Sequence, residues 1–364
     1  MFMNSVFEDD KHIVDRKVEH IKVVLEEDVN YNKTTWFEYV YLVHNSLPEL
    51  DLDSINTKIR FLDRDFDYPI LIDSMTGGAE LSKKINERLA VLASRYNIPI
   101  SCGSQKAGIR DKSLVETYRI MRDVCPECFI IGNIGGHDLI EDPVGIASEA
   151  VSMIDADALA IHLNPLQEGV QRGEKVDYRG VLDTISRVVD ALEVPVIVKE
   201  TGAGICMGVA KALESVGVAA INVAGAGGTS WSAVEVFRNR MRDESLLSDV
   251  GLTFWDWGIP TAASLIEVVR SVDIPVIASG GIRDGIEIVK SIVLGAHLAG
   301  MAQPFLKAYF DDKLEYFLDK IIMEIKLAMF LVGAEDINTL WNDVDYVLTG
   351  ELLSWVNQRG LGGG

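Results

Sequence analysis

PVIASGGIRDGIEIVKSIVLGAHLAGMAQPF, residues 275–305, reads as strand, turn, helix, strand. Pro275 to Ser279 is a short apolar, β-branched run closed by Gly280 and Gly281, which is the pattern of a buried strand. Asp284 is placed to cap a helix carrying Ile286, Ile288, Val289 and Ile292, and Gly295 stands where a helix end favours glycine. His297 to Ala302 forms the next strand, and Pro304 closes it. Two readings stand for the turn. Gly280, Gly281 and Arg283 form either a phosphate cradle with a charged fork, or a tight turn carrying a surface arginine.

Working outward, the same strand-then-helix unit repeats. Strands are predicted at Pro69–Ser74, Ile98–Gly103, Phe129–Ile134, Ala158–Leu163, Pro195–Glu200, Ala219–Val223, Pro275–Ser279 and His297–Ala302. Helices are predicted at Leu81–Tyr96, Val115–Asp123, Val144–Ile154, Tyr178–Ala191, Gly208–Val216 and Ala262–Ser271. Prolines precede or open several strands, where a missing N–H is tolerated. Eight parallel strands with crossover helices predict an α/β fold of the (β/α)8 TIM-barrel class. The alternative, an open doubly wound sheet, lacks its G-x-G-x-x-G signature here.

The 364 residues are read as one barrel domain. Residues 1–67 form an N-terminal extension and barrel plug, 68–306 carry the barrel strands, and 307–364 hold C-terminal helices and a frayed Gly-rich tail. Val40 to Val43 is expected to be buried, and Lys58 to Phe66 to form a hairpin under the barrel. Residues 225–258 are expected to be a long functional or mobile loop. Phe305 to Leu331 reads as one long helix, broken at Gly333.

Composition narrows the function classes. Hydrophobic residues make up 48% and charged residues 24%, enough for a large core. A net charge of −21 argues against nucleic acid and anionic membrane as partners. The N-terminus MFMNSVFEDDKH has no apolar leader core and no run approaches a membrane span, so the expected location is cytoplasmic. Cys125-Pro-Glu-Cys128 has no second ligand pair for zinc and is read as two reduced thiols.

The strand ends carry the chemistry, because in this fold they face the active site. In order they supply Met75, Thr76 and Gly77; Ser104, Gln105 and Lys106; Asn133; His162, Asn164, Gln167 and Glu168; Lys199 and Glu200; Asn222 and Thr229; Gly281 and Arg283; Ala302 and Gln303. Lys199 beside Glu200 is also readable as a simple ion pair, and His162 as a packed core histidine. Burying so many polar groups unpaired would cost about 1–3 kcal/mol each. Amides and hydroxyls suit a heterocycle edge, a lysine suits negative charge beside it, and a glycine-rich end with arginine suits a phosphate: together, a flavin mononucleotide. Arg16, Lys17 and His20, with Lys106, suit a second anionic ligand, although Arg16–Ile21 also reads as a solvated helix face in which Glu19 pairs with its neighbours. Glu168 is an oxygen ligand fit for a hard cation.

The motifs RKVEHI at Arg16, MTGG at Met75, GSQ at Gly103, GNIGG at Gly132, HLNPLQE at His162, VKETGAG at Val198, AGAGGTSW at Ala224, WGIPTAASL at Trp257, and SGGIRDG with AGMAQPFL resemble, in order, the FMN-dependent type 2 isopentenyl diphosphate isomerases. The resemblance implies interconversion of isopentenyl and dimethylallyl diphosphate with reduced FMN, Mg2+ and a reductant such as NADPH, in a homotetramer or homo-octamer. It implies FMN contacts from Met75, Thr76, Gly77, Ser104, Asn133, Lys199, Thr229, Gly281, Arg283, Ala302 and Gln303. Substrate contacts would come from Arg16, Lys17, His20, Ser104, Gln105, Lys106, His162, Asn164 and Gln167, and the metal contact from Glu168. Gln167, His162 and Lys199 are the expected catalytic group, with flavin N5 moving the protons. Lys106 departs from the arginine common in the family. Cys206, in Gly204-Ile205-Cys206, is read as a small packed residue.

Two other functions compete. An FMN oxidoreductase acting on a small hydroxy acid or dihydropyrimidine needs a base beside the flavin, and the Gly227-Gly228-Thr229-Ser230-Trp231 loop supplies neither histidine nor cysteine. A non-enzymatic phosphate-binding barrel leaves Gln167 and Glu168 without a role.

Overall fold

The computed structural model describes residues 19–171 and 176–362. Eight short parallel strands close in chain order: Ile70–Ile72, Ile100–Ser101, Ile130–Gly135, Ala158–Leu163, Val196–Glu200, Ala220–Asn222, Val276–Ser279 and Leu298–Met301. The eighth returns to the first, with Met301 opposite Ile72, so the predicted barrel is the fold. Proline at a strand start serves the ladder through its carbonyl. Pro69, Pro99, Pro195 and Pro275 accept N–H bonds from Ala299, Ile72, Leu159 and Ile221 at 2.9–3.1 Å.

The crossover helices follow their local signals. Asp284 accepts the Glu287 N–H at 2.8 Å as an N-cap. Gly295, at φ 103°, turns the chain into the last strand, where a Cβ would sit 2.5 Å from Val269. The apolar sides of these helices cover the strands in one continuous core, with Leu89, Ile185, Leu265, Ile288 and Ile292 all buried.

Beneath the barrel, Ile59–Phe61 and Arg64–Phe66 form the expected antiparallel hairpin. Its two-residue turn, Leu62-Asp63, has positive φ at both positions, the geometry that matches strand twist. Phe61 and Phe66 are buried, and Phe66 meets Phe129 edge-on at 5.7 Å. The plug therefore packs on the N-terminal end and leaves the opposite mouth open for chemistry.

Four expectations are corrected. Residues 225–258 are mostly helical, with helices at Trp231–Met241 and Ser245–Thr253; Ser230 caps the first through the Ala233 N–H. Of Val40 to Val43 only Val40 is buried, because Val40–Leu42 pairs with Tyr346–Leu348 in a small surface sheet that shows alternate side chains to solvent. The helix read across Phe305 to Leu331 is two helices, Gln303–Phe310 and Leu314–Val332, with Asp312 at positive φ between them. Cys125 and Cys128 are joined as a disulfide, not held as two thiols. The extreme tail, 363–364, lies outside the described residues.

The C-terminal helix Gly350–Gln358 is fastened to the helix Thr261–Val269 by one buried carboxylate. Glu267 accepts bonds from Trp355 Nε1, Arg359 Nε and Nη2, and the Met207 backbone N–H, at 2.8–3.1 Å. Arg359 is partly exposed, so its pairing sits between the surface and buried cases. Arg359→Ala is expected to lower the denaturation midpoint, since Glu267 keeps only two of its donors, Trp355 and the Met207 N–H. Urea denaturation reads this directly; an unchanged midpoint would show that the clasp carries no stability.

Candidate active site

The open mouth holds one pocket to which every barrel strand contributes. Met75 and Thr76 come from the first strand end, Ser104 and Lys106 from the second, and Asn133 from the third. His162, Asn164, Gln167 and Glu168 follow the fourth strand, and Lys199 ends the fifth. Thr229, Gly281, Arg283, Ala302 and Gln303 complete the ring, and His20 reaches in from the N-terminal segment. Gly77 and Gln105 are placed otherwise. A Cβ on Gly77 would overlap the Tyr118 ring, so that glycine serves close packing. Gln105 is fully buried behind the wall, bonded to Ala150 O, the Asn133 N–H and Met153. Arg16 and Lys17 lie outside the described residues.

The floor is built from the strands themselves. Buried Lys199 donates to the Glu200 carbonyl at 3.1 Å and lies 3.8 Å from Asp73 Oδ2. Its ionic partner is therefore not the neighbouring Glu200 side chain. That carboxylate turns back instead and accepts the N–H groups of Thr201, Gly202 and Ala203, shaping the loop that lines one wall. Burial raises the Glu200 carboxyl to about 7, against the opposing pull of those N–H groups. His162 is not a closed core histidine: it lines the pocket, with Nδ1 2.7 Å from Asn133 Oδ1, a contact that places the proton on Nδ1.

The glycine pairs form a close backbone contact. Gly280 and Gly281 have φ of 98° and 80°, and their Cα positions lie against the backbone of Gly225 and Gly227. A Cβ on Gly228 would sit 2.5 Å from Gly281 N. Two loops thus meet backbone to backbone at the sixth and seventh strand ends. Arg283 fastens them, with Nη1 on the carbonyls of Gly227 and Gly281 at 3.2 and 3.0 Å and Nη2 on Asn30 Oδ1 at 3.2 Å.

The rim contains residues that the strand-end reading missed. Glu235, on the helix Trp231–Met241, accepts from Gln167 Nε2 at 3.1 Å and lies 3.2 Å from His20 Nε2. Arg238, one turn on, bonds Glu235 and also reaches Glu19, as does Arg242. Glu19 therefore pairs across the chain, with Arg238 and Arg242. Asp138 binds Lys106 Nζ at 2.8 Å, and Trp231 stands edge-on to His20. Burial pushes the Asp138 carboxyl up, but Lys106 and the nearby histidines bring it below its ordinary value. The signal for Glu235 was present as Glu and Arg three apart in an apolar helix. It was hidden by reading the segment as a loop.

Candidate ligands can be weighed against this geometry. Among the described residues no group of three acidic, histidine or cysteine side chains converges on a point. Glu168, at the mouth and bonded to Asn164 Nδ2 at 2.9 Å, is one carboxylate of the kind that shares Mg2+ with a phosphate ligand. The apolar-sided floor with Lys199, the amide of Asn133, and the N-terminus of the helix Gln303–Phe310 fit a flat ring with a phosphate tail.

The comparisons agree with this fit. Residues 156–346 match the FMN-dependent dehydrogenase family, and the fold is shared with mandelate oxidase. Two mandelate oxidase structures, with (S)-2-phenylpropionate and with benzaldehyde, superpose at TM-scores of 0.59 and 0.63 and 18% and 17% identity. They cover 86% and 95% of this chain, and 88% and 98% of theirs. The class is thus an FMN-dependent (β/α)8-barrel enzyme. Closer relatives define the family. The isopentenyl-diphosphate delta-isomerase of Methanothermobacter thermautotrophicus is 47% identical, covering 96% of this chain and 97% of that protein. Those of Thermococcus kodakarensis and Halobacterium salinarum are each 45% identical, over 97% of this chain and 96% and 98% of theirs. The chain belongs to the isopentenyl-diphosphate delta-isomerases of the FMN-dependent, type 2 kind.

The Glu235 node has a measurable acid signature. Burial alone would raise its carboxyl, but the His20 bond, the charges of His20 and Arg238, and the Gln167 bond lower it from 4.5 to about 2. The stabilisation is present above pH 4.5 and lost as pH falls towards 2, a difference on the order of 3 kcal/mol. Glu235→Gln is expected to be less stable at pH 7, with the gap to wild type closing through that window. Urea denaturation across the pH range checks this, and a gap independent of pH would contradict it.

Proposed function

We propose that this pocket interconverts isopentenyl diphosphate and dimethylallyl diphosphate with bound reduced FMN and Mg2+. The observation that carries the reading is the convergence of Asn133, His162, Asn164, Gln167, Glu168 and Lys199 on one pocket, in a chain similar throughout to isomerases of that name. The reaction adds a proton at one carbon and removes one from another, leaving the formula unchanged. Reduced FMN, when bound, supplies acid and base chemistry at its N5 atom.

The chain's own residues do the rest. Met75, Thr76, Ser104, Asn133 and Thr229 would hold the ring system and its side chain. Gly281, Arg283, Ala302 and Gln303 would receive the phosphate, with Gly77 supporting from behind. Lys199 would hold negative charge at the pyrimidine edge, where the closed site strengthens electrostatics. Gln167 is a poor acid; it would orient the hydrocarbon end, itself steadied by Glu235. His162 would turn its Nε2 to the substrate side, its other nitrogen fixed on Asn133. Lys106, His20 and Asn164 would take the diphosphate, joined by Arg16 and Lys17, with Gln105 holding the Lys106 turn from within the wall. Glu168 would share Mg2+ with the diphosphate oxygens. We further read residues 1–364 as one barrel domain, working in the cytoplasm as a homotetramer or homo-octamer with NADPH or another reductant. No helix among the described residues is long and apolar enough to cross a membrane.

Incubation with isopentenyl diphosphate, Mg2+, FMN and a reductant should yield dimethylallyl diphosphate, with many turnovers per reducing equivalent and none with oxidised FMN. Stoichiometric consumption of reductant, or oxidation of a hydroxy acid in place of isomerisation, would sink the proposal. Lys199→Ala is expected to lose about a hundredfold or more in kcat. Cys206→Ala, at a half-buried helix start away from the pocket, should keep near wild-type rates.

Glu168→Gln should retain FMN but need far more Mg2+ for half-maximal rate, because an amide is a weaker hard-cation ligand. A magnesium titration decides it; wild-type rates at low Mg2+ would take the metal away from Glu168.

A further inference from the structure

Asp73 is a buried carboxylate on the pocket floor for which the isomerisation gives no evident use. It follows the first barrel strand directly and lines the same pocket as Lys199. Both side chains are nearly closed to solvent, at 7% and 8% exposure. Asp73 Oδ1 accepts the Ser74 N–H at 2.7 Å, and Oδ2 accepts Asn222 Nδ2 at 3.0 Å. Asn222 is aligned in turn by Ser279 Oγ, which donates to its Oδ1 at 2.6 Å. The backbone beside it is fixed too, with the Asp73 N–H on Met301 O at 2.9 Å. Gly300 leaves room for the carboxylate, since a Cβ there would stand 3.1 Å from Oδ2. Three barrel strands therefore hold one negative charge at a set distance from the one lysine of the floor.

That distance matters. At 3.8 Å the pair is electrostatic, while Lys199 spends a hydrogen bond on the Glu200 carbonyl. A charge held this close in a closed site changes how strongly Lys199 favours a second anion. We propose that Asp73 tunes the pocket's preference for reduced over oxidised FMN by offsetting part of the Lys199 charge. The inference rests on the FMN reading above. Reduced FMN gains negative charge at the ring edge that a lysine attracts; oxidised FMN carries none there. Asp73 thus weakens the reduced form selectively. It acts through Lys199 and is a positioning and tuning residue, not a group that handles substrate.

A purely structural role would also pair Asp73 with Lys199, because an isolated buried ammonium is costly. The two roles differ in what they move. Loss of a counterion alone lowers stability. Loss of a tuning charge also changes the ratio of reduced to oxidised FMN affinity, by about tenfold or more for a charge within about 4–6 Å. For a two-electron couple tenfold is about 30 mV.

The test is the midpoint potential of FMN-loaded full-length protein, measured by anaerobic dye-equilibrated titration. Asp73→Asn keeps shape and Asp73→Ser removes bulk; both remove the charge. Both are expected to make the potential less negative by about 30 mV or more, the size of a tenfold gain in relative affinity for reduced FMN. Ser279→Ala disturbs the same network without changing charge and should leave the potential in place. An unchanged or more negative potential in either Asp73 variant would overturn the proposal, as would an equal shift in Ser279→Ala. So would loss of FMN from both Asp73 variants with circular dichroism intact, since Asp73 would then hold the cofactor and not tune it. Wild-type protein that takes up no FMN would instead overturn the FMN reading, and the proposal with it.

Discussion

A charge removed from water must meet a partner, and that constraint sets much of the architecture around this barrel's mouth. An unpaired buried ion costs several kcal/mol, more than most single contacts return. Lys199 meets Asp73 on the floor, Lys106 meets Asp138 on the rim, and Glu235 meets Arg238 behind the wall. Each pair joins different strand ends or different turns, so each also fixes a piece of backbone. The Glu235 node ties the helix Trp231–Met241 to the N-terminal segment through His20 and to the fourth strand end through Gln167. The same segment is also held by Arg242 on Glu19, by Arg283 on Asn30, and by apolar contacts from Ile21 and Val23.

The backbone obeys a second constraint at the sixth and seventh strand ends. Two loops approach so closely that only glycine fits on the facing sides. This closes one side of the mouth with main chain in place of side chains, and leaves its width set by covalent geometry. Arg283 then spans the seam on carbonyl oxygens. The result is a rigid rim beside a floor whose electrostatics are set by side chains. A site divided this way can alter charge without altering shape, because Lys199 lies on a strand and Asp73 directly follows one, while the close-packed glycines lie on loops.

What the sequence makes legible follows from which forces are local. The eight strands, the Asp284 cap and the Gly295 turn are decided by residues within a few positions, and all are readable. The strand-end rule then delivers Asn133, His162, Gln167 and Lys199 to one pocket without any knowledge of distances. Long-range pairing is not readable in the same way. His20 and Glu235 are 215 residues apart, and nothing in their neighbourhoods names the other. Gln105 looked like its neighbour Ser104 in sequence; at the start of the short helix Lys106–Arg110 its side chain turns into the wall. Asp73 was passed over because the strand-end reading began two residues later, at Met75. The helices within 225–258 were obscured by glycines at one end and tryptophans scattered through, although Ser230 and the Glu235–Arg238 spacing carried the signal.

The acidic chain and its anionic ligands are reconciled by the same pairing rule. A net charge of −21 repels a diphosphate at long range, but salt screens that repulsion beyond about 8 Å at physiological ionic strength. Inside the mouth the balance depends on individual pairs. On the proposed reading, Lys106 would take a ligand by exchanging Asp138 for it or by sharing itself between the two. The pocket wall already buries Lys106, so the exchange would cost little side-chain entropy. Lysine suits such an exchange: its ammonium is a point charge that can swing between two oxygens, where a forked guanidinium would be committed to one planar partner. Lys106 and Asp138 therefore have to be understood together, as one pair at the rim.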